Sequence, residues 1–490
     1  MITSEPLTTG VVLLVVGLLV ALSTAFSRAS SRFGLPVVLL FLGVGVLAGT
    51  EGLGRISFGD YALAFRAGTA ALVLILFDGG LNTPIASIRA VVRPAAALAT
   101  LGVLVTAALA AAAARLLGLP WPEALLLGAV VSPTDAAAVF SVLRGARVKV
   151  RRRVALVLET EAGFNDPMAV VLMLGLTQLL TGQRSSVAAA VGLMAVQLTV
   201  GLAVGLGAGA AGRALLPRLR LAASGLYPVF TLALAFTTYG AATVLQGSGF
   251  LAVYVAALIL GNGALPYQAG VRRVHDSIAW LAQVGMFVLL GLLVLPSRLW
   301  AVARPGLGIA LLLALVARPV AVALSLAPFR FRAREQAFIA WAGLRGASPI
   351  VLATFPVLAH APGAERIFQI VFFVVAVNAL VPGATLRAAV QALGLASRAD
   401  PPPPATLEIM SRLPVDGEIL SFFIEPESAV SGTALRDLPF PEGASILLLV
   451  RGHRLVPARG GTVIEPGDHV HVFCRPPDKP FVLLLFGREA

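Results

Sequence analysis

The sequence predicts an all-α polytopic membrane protein of about thirteen transmembrane helices, with inverted repeats and two interrupted helices, followed by a small cytoplasmic α+β domain. Three observations predict it. Of 490 residues, 58% are hydrophobic and 12% charged, with a mean hydropathy of +0.91, whereas soluble domains carry roughly 25% charged residues. Apolar windows near the roughly 20 residues that a bilayer requires recur as far as residue 392. The composition then changes at Pro401–Pro404. An ordinary soluble globule, a disordered chain and a disulfide-stapled domain are all excluded. Cys474 is the sole cysteine and permits no internal disulfide.

The windows fall near 7–26, 34–50, 62–83, 94–117, 122–143, 153–181, 187–212, 225–246, 248–265, 277–296, 305–327, 335–359 and 366–392. No Lys or Arg precedes Arg28, so the first is expected to be a retained helix and not a cleaved signal. The net charge of +13 is unevenly spread. Through Asp400 there are 29 Lys and Arg against 13 Asp and Glu, and beyond it 8 against 11. In a soluble chain such basicity suggests nucleic acid. Here the cations sit between apolar stretches and orient them, so no nucleic-acid partner is expected, only the bilayer. One alternating set of loops, with Arg28, Arg89, the run Arg144–Arg153, Arg213, Arg272, Arg330 and Arg387 among its members, holds 20 cations; the opposite set holds seven. The positive-inside rule puts the first set in the cytoplasm, the N-terminus outside and the C-terminus inside.

Residues 1–395 form the predicted membrane domain, 396–410 a Pro-rich linker and 411–490 a cytoplasmic domain. In the last, Ile419–Ile424 and Ile446–Val450 predict strands, with a short helix from Ser431 between them. Further short strands around Val456, Val463 and Val470–Phe473 are separated by GG and PGD turns.

Five acids fall inside the windows away from their edges: Asp78, Asp135, Glu159, Glu161 and Asp166. Each costs about 3 kcal/mol at mid-bilayer, so such a cluster points to function. The stretch VVSPTDAAAVF puts Ser132, Pro133, Thr134 and Asp135 inside an apolar window. Proline frees carbonyl groups in the preceding turn, and Ser and Thr oxygens can join them around a small cation. A second interruption lies at Gly343–Pro349. Windows 94–181 and 305–392 each hold three spans with the break in the middle one, and start on opposite sides, which is the pattern of inverted transporter repeats. Glu161 needs a cationic partner, for which Arg345 is the expected residue, and Asp166 can face Asp135. Arg318 has no assigned partner and is expected to be structural.

Other matches are discounted. GAGAAG at Gly207–Gly212 follows no strand; with Gly201, Gly205 and Gly209 it predicts close helix packing. TYG at Thr238–Gly240 lacks the rest of a potassium filter. His469, His471 and Cys474 predict alternating strand residues more readily than a metal site. There is no Walker motif and no nucleophile elbow, so neither an ATP-driven engine nor an enzyme is expected.

FDGGLNT from Phe77, SPTDAAAVF from Ser132, EAGFNDPMA from Glu161 and GLRGASPIVLATFP from Gly343 together resemble the monovalent cation/proton antiporters, in particular the NhaP-like potassium/proton branch. The tail, with EPGDHVHVF, resembles a TrkA-C domain, the C-terminal half of regulators of potassium conductance. The resemblance implies a bacterial inner-membrane homodimer in which a core bundle moves against a dimerisation bundle. It implies that Asp166 binds the ion and the proton, with the monovalent cation held at Asp166 and Thr134 and the site completed by Asp135. Asn165 matches the electroneutral pattern of one cation per proton, and Glu161 with Arg345 the core ion pair. Asp78, Ser132 and Ser348 are accessory or entrance candidates. Ala162 stands where many sodium-selective relatives carry serine, and Phe164 replaces a small polar residue. The TrkA-C resemblance implies a pocket for a regulatory nucleotide or other small molecule.

The expected chemistry is competition. Burial disfavours an empty, charged carboxylate, so the group holds either a proton or a dehydrated cation. If only a loaded site crosses, one gradient drives the other. K⁺ is the expected cation and Na⁺ the alternative. A ligand-gated K⁺ channel would pass current without moving protons, and an aspartyl dyad of Asp135 and Asp166 would cleave peptides without needing Arg345.

Overall fold

The computed structural model describes residues 5–33, 37–145, 148–182, 186–263, 265–398, 407 and 417–487. Most of the predicted linker, including Pro401–Pro404, lies outside these. The chain divides into two compact units, one of residues 1–215, 228–263 and 272–397, the other of 216–227, 264–271 and 398–490.

The first unit opens with α1 (Glu5–Phe33), α2 (Val37–Ala48) and α3 (Tyr61–Asn82). Asp60 caps α3 by accepting from the Leu63 N–H at 2.8 Å. A run follows of α4 (Ile85–Ala97), a π-helical turn at Leu98–Gly102 and α5 (Val103–Leu116). Next come α6 (Trp121–Val131), α7 (Ala136–Gly145) and α8 (Arg152–Leu180), and then α9 (Val187–Leu215), α10 (Leu226–Val244), α11 (Gly249–Gly261) and α12 (Gln268–Leu292). Helix α13 (Pro296–Leu312) passes through a second π-turn, Leu313–Ala317, into α14 (Arg318–Leu326). Helices α15 (Ala333–Trp341) and α16 (Ser348–Leu358) flank the second interruption. The unit's last helices are α17 (Ala364–Asn378), a third π-turn at Ala379–Gly383 and α18 (Ala384–Ala392).

Every predicted window coincides with a helix or an interrupted run, but the count of thirteen crossings is not reached by length and composition. Among the described residues seven helices are long and apolar enough to cross a membrane, or eight if α6 and α7, bent by 48°, form one span. Shorter apolar helices include α2, α11, α16 and the stretch Thr9–Ala25 of α1.

Two groups of helices pack together. Helices α4 to α8 interleave with α13 to α18, while α9 and α3 both pack on α11. The glycine pattern predicted for α9 is used as expected. A Cβ on Gly201, Gly205 or Gly209 would lie within 2.9 Å or less of Ser248, Ala252 or Ile259 on or beside α11. Gly45 and Gly291 bring α2 against α12 in the same way. In the loop after α2, Glu51 holds the start of α13. The Ser297 hydroxyl and the Ser297 N–H both donate to it, and these bonds keep the Glu51 carboxyl below the usual carboxylate range.

The second unit carries an antiparallel sheet of β1 (Glu418–Phe423), β2 (Ala444–Arg451), β3 (Arg454–Pro457) and β4 (Asp468–Cys474), in the order β1-β4-β2-β3. The helix expected from Ser431 is only a 3-10 turn, Leu435–Asp437, and Val463 makes an isolated bridge to Ala434 instead of a strand. A C-terminal helix the sequence reading missed, α19 (Lys479–Phe486), stacks Phe486 on Phe422 at 5.1 Å between ring centres. Buried Asp468 takes two bonds of 2.9 Å from Arg451. His471 meets Ser421 at 2.8 Å, and no metal-binding cluster of His, Cys, Asp and Glu occurs among the described residues.

Candidate functional site

Two interrupted helices cross at the centre of the first unit. Residues 132–135 between α6 and α7, and 343–346 between α15 and α16, belong to no regular element, and the Asp135 N–H donates to the Leu344 carbonyl at 2.7 Å. Each break leaves carbonyl groups at one helix end and N–H groups at the next helix start. Ser132 returns its hydroxyl to the Ala129 carbonyl at 2.7 Å. Asp135 accepts from the Ala138 N–H at 3.2 Å and so caps α7.

Glycines set how closely the breaks approach. A Cβ on Gly346 would sit 1.8 Å from the Asp135 Oδ2, and one on Gly343 would sit 2.7 Å from the Arg318 Nε.

The expected pairing of Glu161 with Arg345 is corrected. Glu161 is clamped by Arg318 through bonds of 2.7 and 2.9 Å, with both side chains at most 2% exposed. Arg318 is therefore the partner of the buried acid. Arg345 instead donates its Nε to the Val131 carbonyl at 3.2 Å and another nitrogen to the Gly343 carbonyl, while its N–H donates to Asn378 Oδ1 at 3.0 Å. The physical reason lies in the breaks. The orphan carbonyls at the ends of α6 and α15 carry partial negative charge and attract a guanidinium on their own account.

Asn165 and Thr134 brace this core. The Asn165 amide donates to the Thr134 carbonyl at 3.0 Å and its hydroxyl oxygen at 2.8 Å, and the Thr134 hydroxyl donates to Glu161 at 3.4 Å. Asn165 is fully buried and is not among the residues lining the cavity described next. Ser132 is likewise turned back on its own helix.

Asp166 and Asp135 do come together. Both line a cavity of about 420 Å³ whose walls are α3, Tyr254 of α11 and α12 on one side, and Thr134, Asp135, α7 and α8 on the other. The Ser348 hydroxyl, at the start of α16, donates to Asp166 Oδ2 at 2.8 Å. Asp78, bonded to Asn82 at 2.9 Å, and Glu159 line the same space. So does Asp276, which sequence reasoning missed because it falls one residue before the apolar window at 277. Tyr254 and Gln283 were also missed; lone residues of these types carry no sequence signal. Five carboxylates therefore line the cavity, and among its lining residues none is basic.

Crossed half-helices, an acid-lined cavity and an internally neutralised ion pair define an integral-membrane ion exchanger. The chain belongs to the family described as sodium/hydrogen exchanger, transmembrane, which matches residues 17–392, and a TrkA-C domain matches residues 419–478. It is 40% identical over 486 residues to the K(+)/H(+) antiporter NhaP of Alkalimonas amylolytica, covering 98% of this chain and 83% of that protein. It is 41% identical over 465 residues to the K(+)/H(+) antiporter NhaP2 of Shewanella sp. (strain ANA-3), covering 93% and 79%. In fold it is similar to the sodium proton antiporter MjNhaP1 from Methanocaldococcus jannaschii, with a TM-score of 0.68 at 23% identity, covering 77% of this chain and 98% of that one. The protein is thus a multi-pass membrane cation/proton antiporter and not an enzyme.

Proposed function

We propose that the chain exchanges K⁺ for H⁺, one for one, by competition at Asp166 across the inner membrane of a bacterium. The observation that carries this reading is the cavity itself: it reaches Asp166 and Asp135 and is lined by five carboxylates with no basic residue among them. Such a lining concentrates cations and repels anions. Asp166 holds the proton or the cation, Asp135 supplies a second carboxylate, and Ser348 orients Asp166. Thr134 lends the cavity an oxygen while Asn165 fixes its position. Ala162 in place of serine and the two potassium-exchanging relatives support K⁺ as the cation.

The cavity residues Asn82, Thr83 and Asp276 lie close in the chain to Arg89 and Arg93 of α4 and to Arg272 and Arg273 of α12. The positive-inside rule makes this the cytoplasmic side, with the N-terminus outside, the tail inside and thirteen crossings. Matched π-turns in α4–α5 and α13–α14, each followed by an interrupted pair, support inverted repeats. The exchanger works as a homodimer, and the TrkA-C domain tunes it by binding a nucleotide or another small molecule.

The test is salt-induced proton release in proteoliposomes. K⁺ gives the larger signal, Na⁺ a smaller one, and Asp166→Asn abolishes both. Because H⁺ and K⁺ compete, acidification leaves fewer empty carboxylates, so the apparent KM for K⁺ climbs as pH falls while the maximal rate at saturating K⁺ holds. Undiminished exchange by Asp166→Asn would refute the assignment.

A further inference from the structure

We propose that Gln283 is a ligand to the transported cation, supplied from the wall facing the two carboxylates, and that its neutral oxygen biases the site toward K⁺ over Na⁺. The inference rests on the exchange reading of Asp166 and adds a residue to that site.

Gln283 lies on α12, while Asp135 and Asp166 belong to the first break and to α8. Beyond the large cavity is a second, of about 40 Å³, that touches Asp135, Asp166, Ser348 and Gln283. Roughly 10–15 Å³ admits one water-sized occupant, so this space suits a small ion. The polar residues shared by the two cavities are Asp135, Asp166 and Gln283; the others they share are Ile75, Leu76 and Ala137. The Gln283 side chain is half-buried and makes no hydrogen bond among the described residues.

An alkali cation that sheds water needs oxygens in its place, and their field strength influences which cation is preferred. Two carboxylates alone make a strong field, which suits the smaller Na⁺. A neutral amide oxygen dilutes that field and favours the larger ion.

The experiment measures KM and maximal rate for K⁺ and Na⁺ in proteoliposomes of wild type, Gln283→Leu, Gln283→Asn and Gln283→Glu, with Asp166→Asn as control. Gln283→Leu is expected to raise the K⁺ KM about tenfold, more than it lowers the maximal rate, because one oxygen ligand to a charge is lost. Gln283→Asn falls between it and wild type. Gln283→Glu lowers the ratio of the Na⁺ KM to the K⁺ KM. Wild-type KM values in the Leu and Glu variants would overturn the role of Gln283 and leave Asp166 untouched. A fall in maximal rate with KM unchanged in all three variants would also overturn it. Exchange surviving in Asp166→Asn would strike the underlying reading instead.

Discussion

At the scale of single residues, the two buried arginines divide the work in a way that spacing does not disclose. Arg318 neutralises Glu161, and Arg345 gathers the carbonyls released at both breaks. Removing one partner of a buried pair leaves an unpaired charge and costs about 3–5 kcal/mol, whereas replacing both by apolar groups is often close to neutral. Arg318→Leu should therefore lower the melting temperature in detergent sharply, and Glu161→Leu added to it should restore much of the loss. A double variant as unstable as the single one would mean that the loss does not come from leaving Glu161 unpaired. The cluster of acids was legible in the sequence because carboxylates in apolar windows are conspicuous. The choice between Arg318 and Arg345 was not, because both lie in apolar windows and only the crossing of the breaks decides which one meets Glu161.

At the scale of elements, the crossing of the interrupted pairs depends on positions without side chains. Gly346 lets the second break lie directly on the Asp135 carboxylate. A methyl group there must push aside a short side chain and not the backbone, so Gly346→Ala should fold and insert normally yet lose most of its exchange activity. Activity near wild type, with unchanged elution on size exclusion, would show that the Asp135 position is not critical. Both breaks were legible as proline-bearing polar interruptions. Their contact was not, since the bond from Asp135 to Leu344 joins residues far apart in the chain. The Gly201–Gly209 stripe was readable because its four-residue spacing is itself the packing signal. The Ser431 helix failed for the opposite reason: a few helix-compatible residues cannot outweigh the cost of starting a helix when the surrounding chain turns early.

At the scale of the whole molecule, the membrane unit and the sheet-bearing unit each have a core of their own. In the sheet unit Phe422, Val470, Val472 and Phe486 are at most 5% exposed, and the membrane unit has its own cluster around Val154, Phe338 and Leu386. Removal of residues 398–490 should leave exchange in place and alter its pH dependence if the TrkA-C domain regulates; an unchanged profile would reduce that domain to an assembly element. The change of composition at Pro401–Pro404 precedes the TrkA-C match at residues 419–478, while α19 was hidden because an apolar run as short as KPFVLLLF reads equally as strand or helix.

The salt link between Glu161 and Arg318 has one more effect. With those two charges cancelled, the pair adds no net charge of its own to a core whose load, a hydrogen ion or an alkali ion, carries one positive charge either way. Each uncompensated charge moved through 100 mV would gain or lose about 2.3 kcal/mol. If exchange runs one for one, as proposed, the cycle is indifferent to that voltage and keeps running in a cell whose membrane has been depolarised.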